Sequence, residues 1–208
     1  MVGNDIVDLH DPDADFESYR SRFDERVFNR SERRSIDCAN APERQRWRLW
    51  AAKEASFKLA RQRDPATVFS PHAFSMDCDQ GSRAIRVRVA HDKLPCFVAF
   101  DETPERIHAI AVPALGDFAQ VLSGVDVLEP SIGGASQSKR ESRAVRALAC
   151  DAISQRFKYS RNRLEIRRAA QRIPMLYHGE APQDFSVSLS HHGSWLAFAC
   201  CTGVDRGA

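Results

Sequence analysis

Three short segments carry side chains whose types and spacing could do chemistry together. The first is Gly3-Asn4-Asp5-Ile6-Val7-Asp8, a short apolar run that carries two acids. Read as a strand, its period of two puts Asp5 and Val7 on one face and Asp8 on the other. Alone, an acid in such a place is ordinarily a turn or capping residue. The second is Trp50-Ala51-Ala52-Lys53-Glu54-Ala55-Ser56-Phe57-Lys58. On a helix, Trp50, Lys53, Glu54, Phe57 and Lys58 share one side. Glu54 and Lys58 could amount to an exposed i, i+4 pair. The flanking aromatics instead place these charges beside the buried face, where ions are costly unless paired or used. The third is Ser186-Val187-Ser188-Leu189-Ser190-His191-His192-Gly193, an alternating run ending in a small-residue turn. Hydroxyls, imidazoles and free backbone N–H groups there can hold phosphate oxygens; the plainer reading is a polar hairpin with a capping histidine. A metal site from His191 and His192 is disfavoured, because adjacent strand residues point to opposite faces.

The elements that must position these residues follow from periodicity. Val2–Leu9 reads as a strand ended by Asp11-Pro12-Asp13. Residues 15–39 read as helical pieces, with Phe16, Tyr19, Phe23 and Val27 at three-to-four spacing. A helix is predicted from Pro42 to about Arg61, with Trp47, Trp50, Ala51, Phe57 and Leu59 on its apolar face, and Pro65 ends it. Strands are predicted at Ala84–Val89, Cys96–Phe100 and Ile107–Val112. Residues 113–138 are rich in Gly, Pro and Ser and read as a connector, with one strand at Val125–Leu128 inside it. A basic helix then runs from Arg143 to about Phe157, with Val145, Leu148, Ala149, Ala152 and Ile153 on one face. Strands follow at Arg163–Ile166, Phe185–Leu189 and Trp195–Cys200. Each half runs helix, strand, proline-containing turn, strand, turn, strand. That order points to a degenerate two-fold repeat with a site at its junction.

The 208 residues carry a net charge of only +2. That total disfavours a dedicated nucleic-acid or polybasic membrane binder. It hides an asymmetry: residues 1–138 hold 18 basic and 22 acidic side chains, whereas 139–208 hold 12 and 6. The stretch 139–172 alone holds 11 basic and 3 acidic side chains, so a nucleic-acid module there is a rival reading, disfavoured by the acidic first half. Cys38, Cys78, Cys96, Cys150, Cys200 and Cys201 form no C-x-x-C pair and no zinc spacing, and read as small hydrophobes in a reducing cytosol. No signal peptide and no apolar run long enough to span a bilayer is recognisable, so a cytoplasmic protein is expected.

Together these segments resemble the 4'-phosphopantetheinyl transferase superfamily. Val2-Gly3-Asn4-Asp5-Ile6-Val7-Asp8-Leu9 is similar to the family's Gly-x-Asp-Ile strand. Arg22–Glu32 (RFDERVFNRSE) resembles the Arg-Phe…Arg-Val-Phe…Glu stretch of bacterial holo-acyl-carrier-protein synthases. WAAKEASFKL (50–59) is similar to the family's Lys-Glu helix, and VSLSHHGSW (187–195) to its Ser-x-Ser-His turn. The motif order is that of the short, subunit-pairing members, at nearly the length of the long, two-lobed ones. The resemblance therefore implies an α+β fold of two similar lobes, a pseudodimer circularly permuted relative to the long type. Each lobe would be a helix packed on a small antiparallel sheet. The first would span 1–120, a connector 121–138, and the second 139–208.

The resemblance also implies roles. Asp5 and Glu54 would hold Mg²⁺, an ion that wants few carboxylates plus waters and substrate phosphates. Glu54 would also deprotonate the acceptor serine, and Lys58 would stabilise the leaving group. His191, Ser190, Lys53, Lys58, Arg143, Arg146 and Arg172 would contact coenzyme A. The implied activity is that of a holo-[acyl-carrier-protein] synthase (EC 2.7.8.7 type), moving 4'-phosphopantetheine from coenzyme A to a serine of an acyl or peptidyl carrier protein. Such an enzyme would serve fatty acid or polyketide biosynthesis. Arg20, Arg22 and Arg26 would face the acidic carrier, and the protein would be a monomer. Val7 stands where long members often carry a third acid. The glycine common after the Lys-Glu helix is absent from Leu59–Pro65, and Gln171 stands near where another glycine is common. A non-catalytic relative that binds coenzyme A or a carrier protein is the alternative; the presence of Asp5, Glu54 and Lys58 argues against it.

Overall fold

The longest apolar-patterned run becomes the longest helix, and the first strand lies directly on it. In the computed structural model the described residues are 1–14, 22–77, 84–89, 96–129, 136–168 and 173–203. Strand β1 (Gly3–Asp8) is followed by helices α1 (Phe23–Val27), α2 (Arg30–Asp37) and α3 (Pro42–Arg63). Then come β2 (Phe74–Met76), β3 (Ala84–Val89), β4 (Cys96–Glu102) and β5 (Arg106–Val112). These strands form one antiparallel sheet in the order β1-β5-β4-β3-β2. Its core joins Leu49, Ala52 and Leu59 of α3 to Val7, Phe74, Val87, Val98 and Ile107.

The second half has β6 (Leu122–Val127), helix α4 (Gln137–Phe157), β7 (Leu164–Arg168), β8 (Pro174–His178), β9 (Ala181–Pro182), β10 (Phe185–His192) and β11 (Trp195–Thr202). One antiparallel sheet has the order β10-β11-β6, another β7-β8-β9. Ala149 and Ile153 of α4 pack with Leu176, Phe185, Val187, Phe198 and Cys200. Helices packed on antiparallel sheets make this an α+β protein, the class expected. No helix among the described residues is long and apolar enough to cross a membrane. Of the described cysteines, Cys38 is exposed and Cys96, Cys150, Cys200 and Cys201 are buried; Cys78 lies outside the described residues.

Several expectations need correction. The strand expected at Val125–Leu128 is β6, but it starts at Leu122 and pairs along β11 from Leu122↔Cys200 to Val127↔Trp195, so it belongs to the second sheet and not to a connector. Helix α4 begins at Gln137, six residues before the expected start. Strands β2, β8 and β9 were not foreseen: β2 and β9 are only three and two residues long, and β8, five residues opening on Pro174, carries no readable alternation.

The two halves meet where β1 runs beside β10. The N–H groups of β1 on this edge find no strand partner and are buried, so each needs an acceptor. Val2, Asn4 and Ile6 donate to the hydroxyls of Ser186, Ser188 and Ser190 at 2.8, 2.9 and 3.3 Å. Asp8 N donates to His192 Nδ1 at 3.1 Å. The constant offset means that the strands run in the same direction, with the alternating side chains of β10 as rungs. Gln62 of α3 ties the start of this seam, donating from Nε2 to Val2 O at 2.8 Å and Val187 O at 3.0 Å.

Gly3 sets the spacing of β1 and α3. A Cβ there would lie 2.0 Å from Ala55 O and 2.7 Å from Leu59 N, both backbone atoms. Gly3→Ala must push the strand off the helix. Expected is a loss of about 1–3 kcal/mol in urea unfolding, the usual cost of overpacking a close contact, with activity falling further as Asp5 moves from α3.

Candidate active site

One face of α3 presents Glu54, Lys58, Arg61 and Gln62 at helical spacing, and β1 lies across it. Asp5, only 8% exposed, points from β1 toward this face. Lys58 Nζ donates to Asp5 Oδ1 at 2.8 Å and to Ser190 Oγ at 3.2 Å. Ser190 in turn donates to Asp5 Oδ1 at 2.8 Å. Asp5, Lys58 and Ser190, from three elements, thus form a closed triangle. Asp5 Oδ2 and both oxygens of Glu54 have no hydrogen-bond partner among the described residues.

Burial, with the Asp5 carboxylate nearby, pushes the Glu54 carboxyl up to about 7, against the pull of Lys58. Two carboxylates share one small space with a single lysine, so one of them holds its proton readily.

Beside this triangle opens a cleft of about 320 Å³ between the two halves. Lys58, Arg61 and Gln62 line it from α3; Ser142, Val145 and Arg146 from α4; Arg168 from β7; and Val187, Ser188, Leu189 and His191 from β10. Ile173 and Pro174 complete an apolar stretch of wall. Five of these side chains are basic and none is acidic. Burial, then the nearby Arg168 charge, depresses the Arg146 guanidinium below its usual range. Cations gathered around a cleft whose lining includes no acid suit an anion.

The turn after β10 is fixed from β1. Gly193 and Ser194 join β10 to β11, with Gly193 at φ +55°. A Cβ on Gly193 would lie 2.3 Å from Asp8 Oδ2, so both conformation and space require glycine. Asp8 Oδ2 accepts from Ser194 N at 3.0 Å and Ser194 Oγ at 2.9 Å, and Oδ1 accepts from His10 N at 3.0 Å. Burial opposes the Asp8 charge, but the bonds from Ser194 and His10 outweigh it and hold the carboxyl below the usual range.

Comparison with known families agrees with this arrangement. A model of the 4'-phosphopantetheinyl transferase superfamily matches residues 1–112, more than half of the chain. The chain belongs to that superfamily. No curated protein matches it. The superfamily match takes in Asp5, Glu54 and Lys58 and ends with β5. The cleft wall built by α4, β7 and β10 lies beyond it.

Of the residues expected to contact coenzyme A, Lys58, Arg146 and His191 line the cleft. Three others do not support that role. Lys53 is fully buried, and its ammonium meets Glu32 at 2.9 Å and donates to Pro71 O at 3.0 Å and Phe74 O at 2.6 Å. It is a structural ion in the first core, with no face toward a ligand. The Ser190 hydroxyl donates to Asp5 and accepts from Ile6 N and Lys58 Nζ. Its one proton and two lone pairs are used, so it positions the triangle, and of the β10 serines Ser188 lines the cleft. Arg143 is exposed and is not among the cleft-lining residues. Arg172, Gln171 and Arg20 lie outside the described residues. Val7, where long relatives often carry an acid, sits in the apolar core. Sequence reading missed Arg61 and Arg168. Arg61 was findable as the residue one turn past Lys58 on the same face; Arg168, at the end of a short strand, had no comparable signal.

Proposed function

We propose that the protein transfers 4'-phosphopantetheine from coenzyme A to a serine of an acyl or peptidyl carrier protein, as a holo-[acyl-carrier-protein] synthase. One observation carries this reading: an acid pair with a lysine opens onto a cationic cleft that holds no carboxylate. A polyphosphate ligand and a hydroxyl acceptor can meet there.

In this reading coenzyme A lies in the cleft. Arg61, Arg146, Arg168 and His191 hold its phosphates, and Val145, Ile173, Pro174 and Leu189 cover its apolar parts. Glu54 takes the proton of the acceptor serine, directly or through one water; neither of its oxygens has a hydrogen-bond partner among the described residues. The serine oxygen then bonds to the phosphorus that carries pantetheine, and the bond from that phosphorus to 3',5'-ADP breaks. Lys58, fixed by Asp5 and Ser190, stabilises the negative charge on the departing diphosphate oxygen. The donor set also fits Mg²⁺, with hard oxygens on Asp5 and Glu54 whose mutual repulsion a divalent cation relieves. Bound there, the ion supplies charge neutralisation at the transferring phosphoryl group.

The same reading makes the chain a monomeric pseudodimer. Its support is a shared plan. Strand β1 precedes α3 and pairs with β5, the last strand of its sheet; β6 precedes α4 and pairs with β11, the last of its own. By this plan the second lobe starts at β6, not after the connector. Exposed Arg22 and Arg26 would face the acidic carrier.

The deciding experiment mixes the protein with apo carrier proteins, coenzyme A and Mg²⁺ and weighs the products by mass spectrometry. Expected is a carrier with one phosphopantetheine added, dependent on Mg²⁺. Folded protein that binds coenzyme A yet modifies none of several fatty-acid and peptide-synthesis carriers would overturn the enzymatic reading.

A further inference from the structure

His191 lines the cleft, but its Nδ1 lies 3.1 Å from Glu141 Oε2 on α4. Glu141 does not line the cleft, although Ser142, Val145 and Arg146 of the same helix do. The carboxylate therefore meets the imidazole from outside the ligand's space. It is also fixed: its side chain is only 13% exposed, and Gln137 Nε2 donates to its other oxygen at 2.8 Å. A carboxylate attracts a proton and offers none, so this ion-pair contact favours the proton on Nδ1. Nε2 is then the nitrogen left for the cleft. In the neutral ring Nε2 carries a lone pair, which repels a phosphate oxygen; in the imidazolium it carries a proton and donates.

We infer that Glu141 is the positioning residue of His191: it fixes the Nδ1–H tautomer, aims Nε2 at the cleft, and stabilises the imidazolium that a ligand phosphate requires, so that binding takes up one proton. The phosphate half of this inference rests on the coenzyme A reading; the link between Glu141 and His191 does not.

The other groups around the ring set the balance. Partial burial of a ring still 37% exposed lowers the His191 imidazole below its ordinary value, and Glu141 is the largest influence raising it. Lys58 from α3 and His192 next along β10 also lower it, and Asp5 from β1 raises it. Arg146 and Arg168 line the same cleft. A phosphate entering among these cations reverses the balance, and Glu141 has already supplied part of what it needs.

The test is long-range ¹H–¹⁵N NMR of His191 in the full chain, with and without 3',5'-ADP, alongside calorimetric titration with 3',5'-ADP across pH. The wild type is expected to show the Nδ1–H tautomer when free and imidazolium when bound. Its affinity should fall as pH rises past the free imidazole's titration. Glu141→Gln keeps an oxygen to accept from Nδ1 but removes the charge. It should retain the tautomer, titrate at lower pH, and bind 3',5'-ADP about tenfold more weakly at pH 7.5, the equivalent of one pH unit in the imidazole. Glu141→Ala should lose the tautomer as well. The double variant Glu141→Gln/His191→Gln should bind no more weakly than His191→Gln alone. An unchanged His191 tautomer and titration in both Glu141 variants, or full additivity in the double variant, overturns the inference. If folded wild type fails to bind 3',5'-ADP while Glu141 still governs the His191 spectrum, the coenzyme A reading falls, and the phosphate half with it.

Discussion

Glu54→Gln is expected to abolish most pantetheinyl transfer while making the folded protein more stable at pH 8. Removing a positioned general base costs about 10²–10⁴-fold in kcat, and the glutamine also removes one of the two carboxylates assigned to Mg²⁺. The stability gain follows from the same environment. The Glu54 carboxyl ordinarily titrates near 4.5, and in the fold it is pushed up to about 7. Below about 4.5 both folded and unfolded chains hold the proton, and the fold pays no penalty for the charge. Between 4.5 and 7 the unfolded chain releases the proton and the folded chain keeps it, so stability falls as pH rises. Above 7 the loss is complete. Glutamine carries no charge to penalise, so the variant's advantage in melting temperature should be widest above pH 7 and fade toward pH 4.5. Saturating Mg²⁺ should narrow or reverse that advantage, because the ion stabilises the wild type and has lost a ligand in the variant. Calorimetric scans at pH 5 and pH 8, with and without Mg²⁺, beside the mass-spectrometric assay, separate these effects. A variant that kept full activity would end the role assigned to Glu54. A variant no more stable than wild type at pH 8 would show that the carboxylate is not held against its preference.

How much of this was legible in the sequence depends on range. Helix α3 was clear from Pro42 onward because proline, helical spacing and a later proline all act within one element. Strand β3 was clear because Ala84–Val89 alternates, and its burial does too. The three chemical segments were visible as types, and the fold brings them together. Their partners were not visible, since partnership is a long-range fact. Ser186, Ser188 and Ser190 looked like a phosphate-binding surface, yet their hydroxyls accept from the backbone of β1, some 184 positions away. Composition marked the alternation but could not say what lay opposite. Residues 121–138 read as connector with only a short strand at Val125–Leu128, for a related reason. An edge strand with Gly124 and Ser123 earns its place by pairing with β11, and that pairing partner is distant in sequence. The charge asymmetry survives in altered form. The basic second half does supply Arg146, Arg168 and His191 to the cleft, but Lys58 and Arg61 come from the acidic first half.

Lys53→Met is expected to lower the melting temperature sharply and leave the affinity for coenzyme A nearly unchanged. The lysine and its neighbour Glu54 sit side by side in the sequence, but they face different worlds. Lys53 and Glu32 are both fully buried. Glu32 is a hub. Its Oε2 accepts from Asn29 N at 2.9 Å while Asn29 Oδ1 accepts from Glu32 N at 3.0 Å, a reciprocal cap that starts α2. Its Oε1 accepts from Lys53 Nζ and from Met76 N, each at 3.0 Å. The pair therefore pins α2, α3 and β2 to one point, and Lys53 also lies 5.8 Å from the centre of the Phe28 ring. Methionine matches the length of the lysine but strands the Glu32 charge in the core. Breaking a buried pair in this way costs about 3–5 kcal/mol. At about 2–4 °C per kcal/mol for a chain of this size, the melting temperature should drop by roughly 6–20 °C. Glu32→Gln should cost a similar amount, since it strands the ammonium and weakens the cap. Combining the two should cost less than the sum, because the second change removes the charge stranded by the first. The surplus measures the pair itself. Below the melting point the Lys53→Met protein should bind coenzyme A within about twofold of wild type, because Lys53 is not among the residues lining the cleft. The opposite pattern, an unchanged melting temperature with a KM for coenzyme A raised tenfold or more, would return Lys53 to the ligand and overturn its assignment to the core.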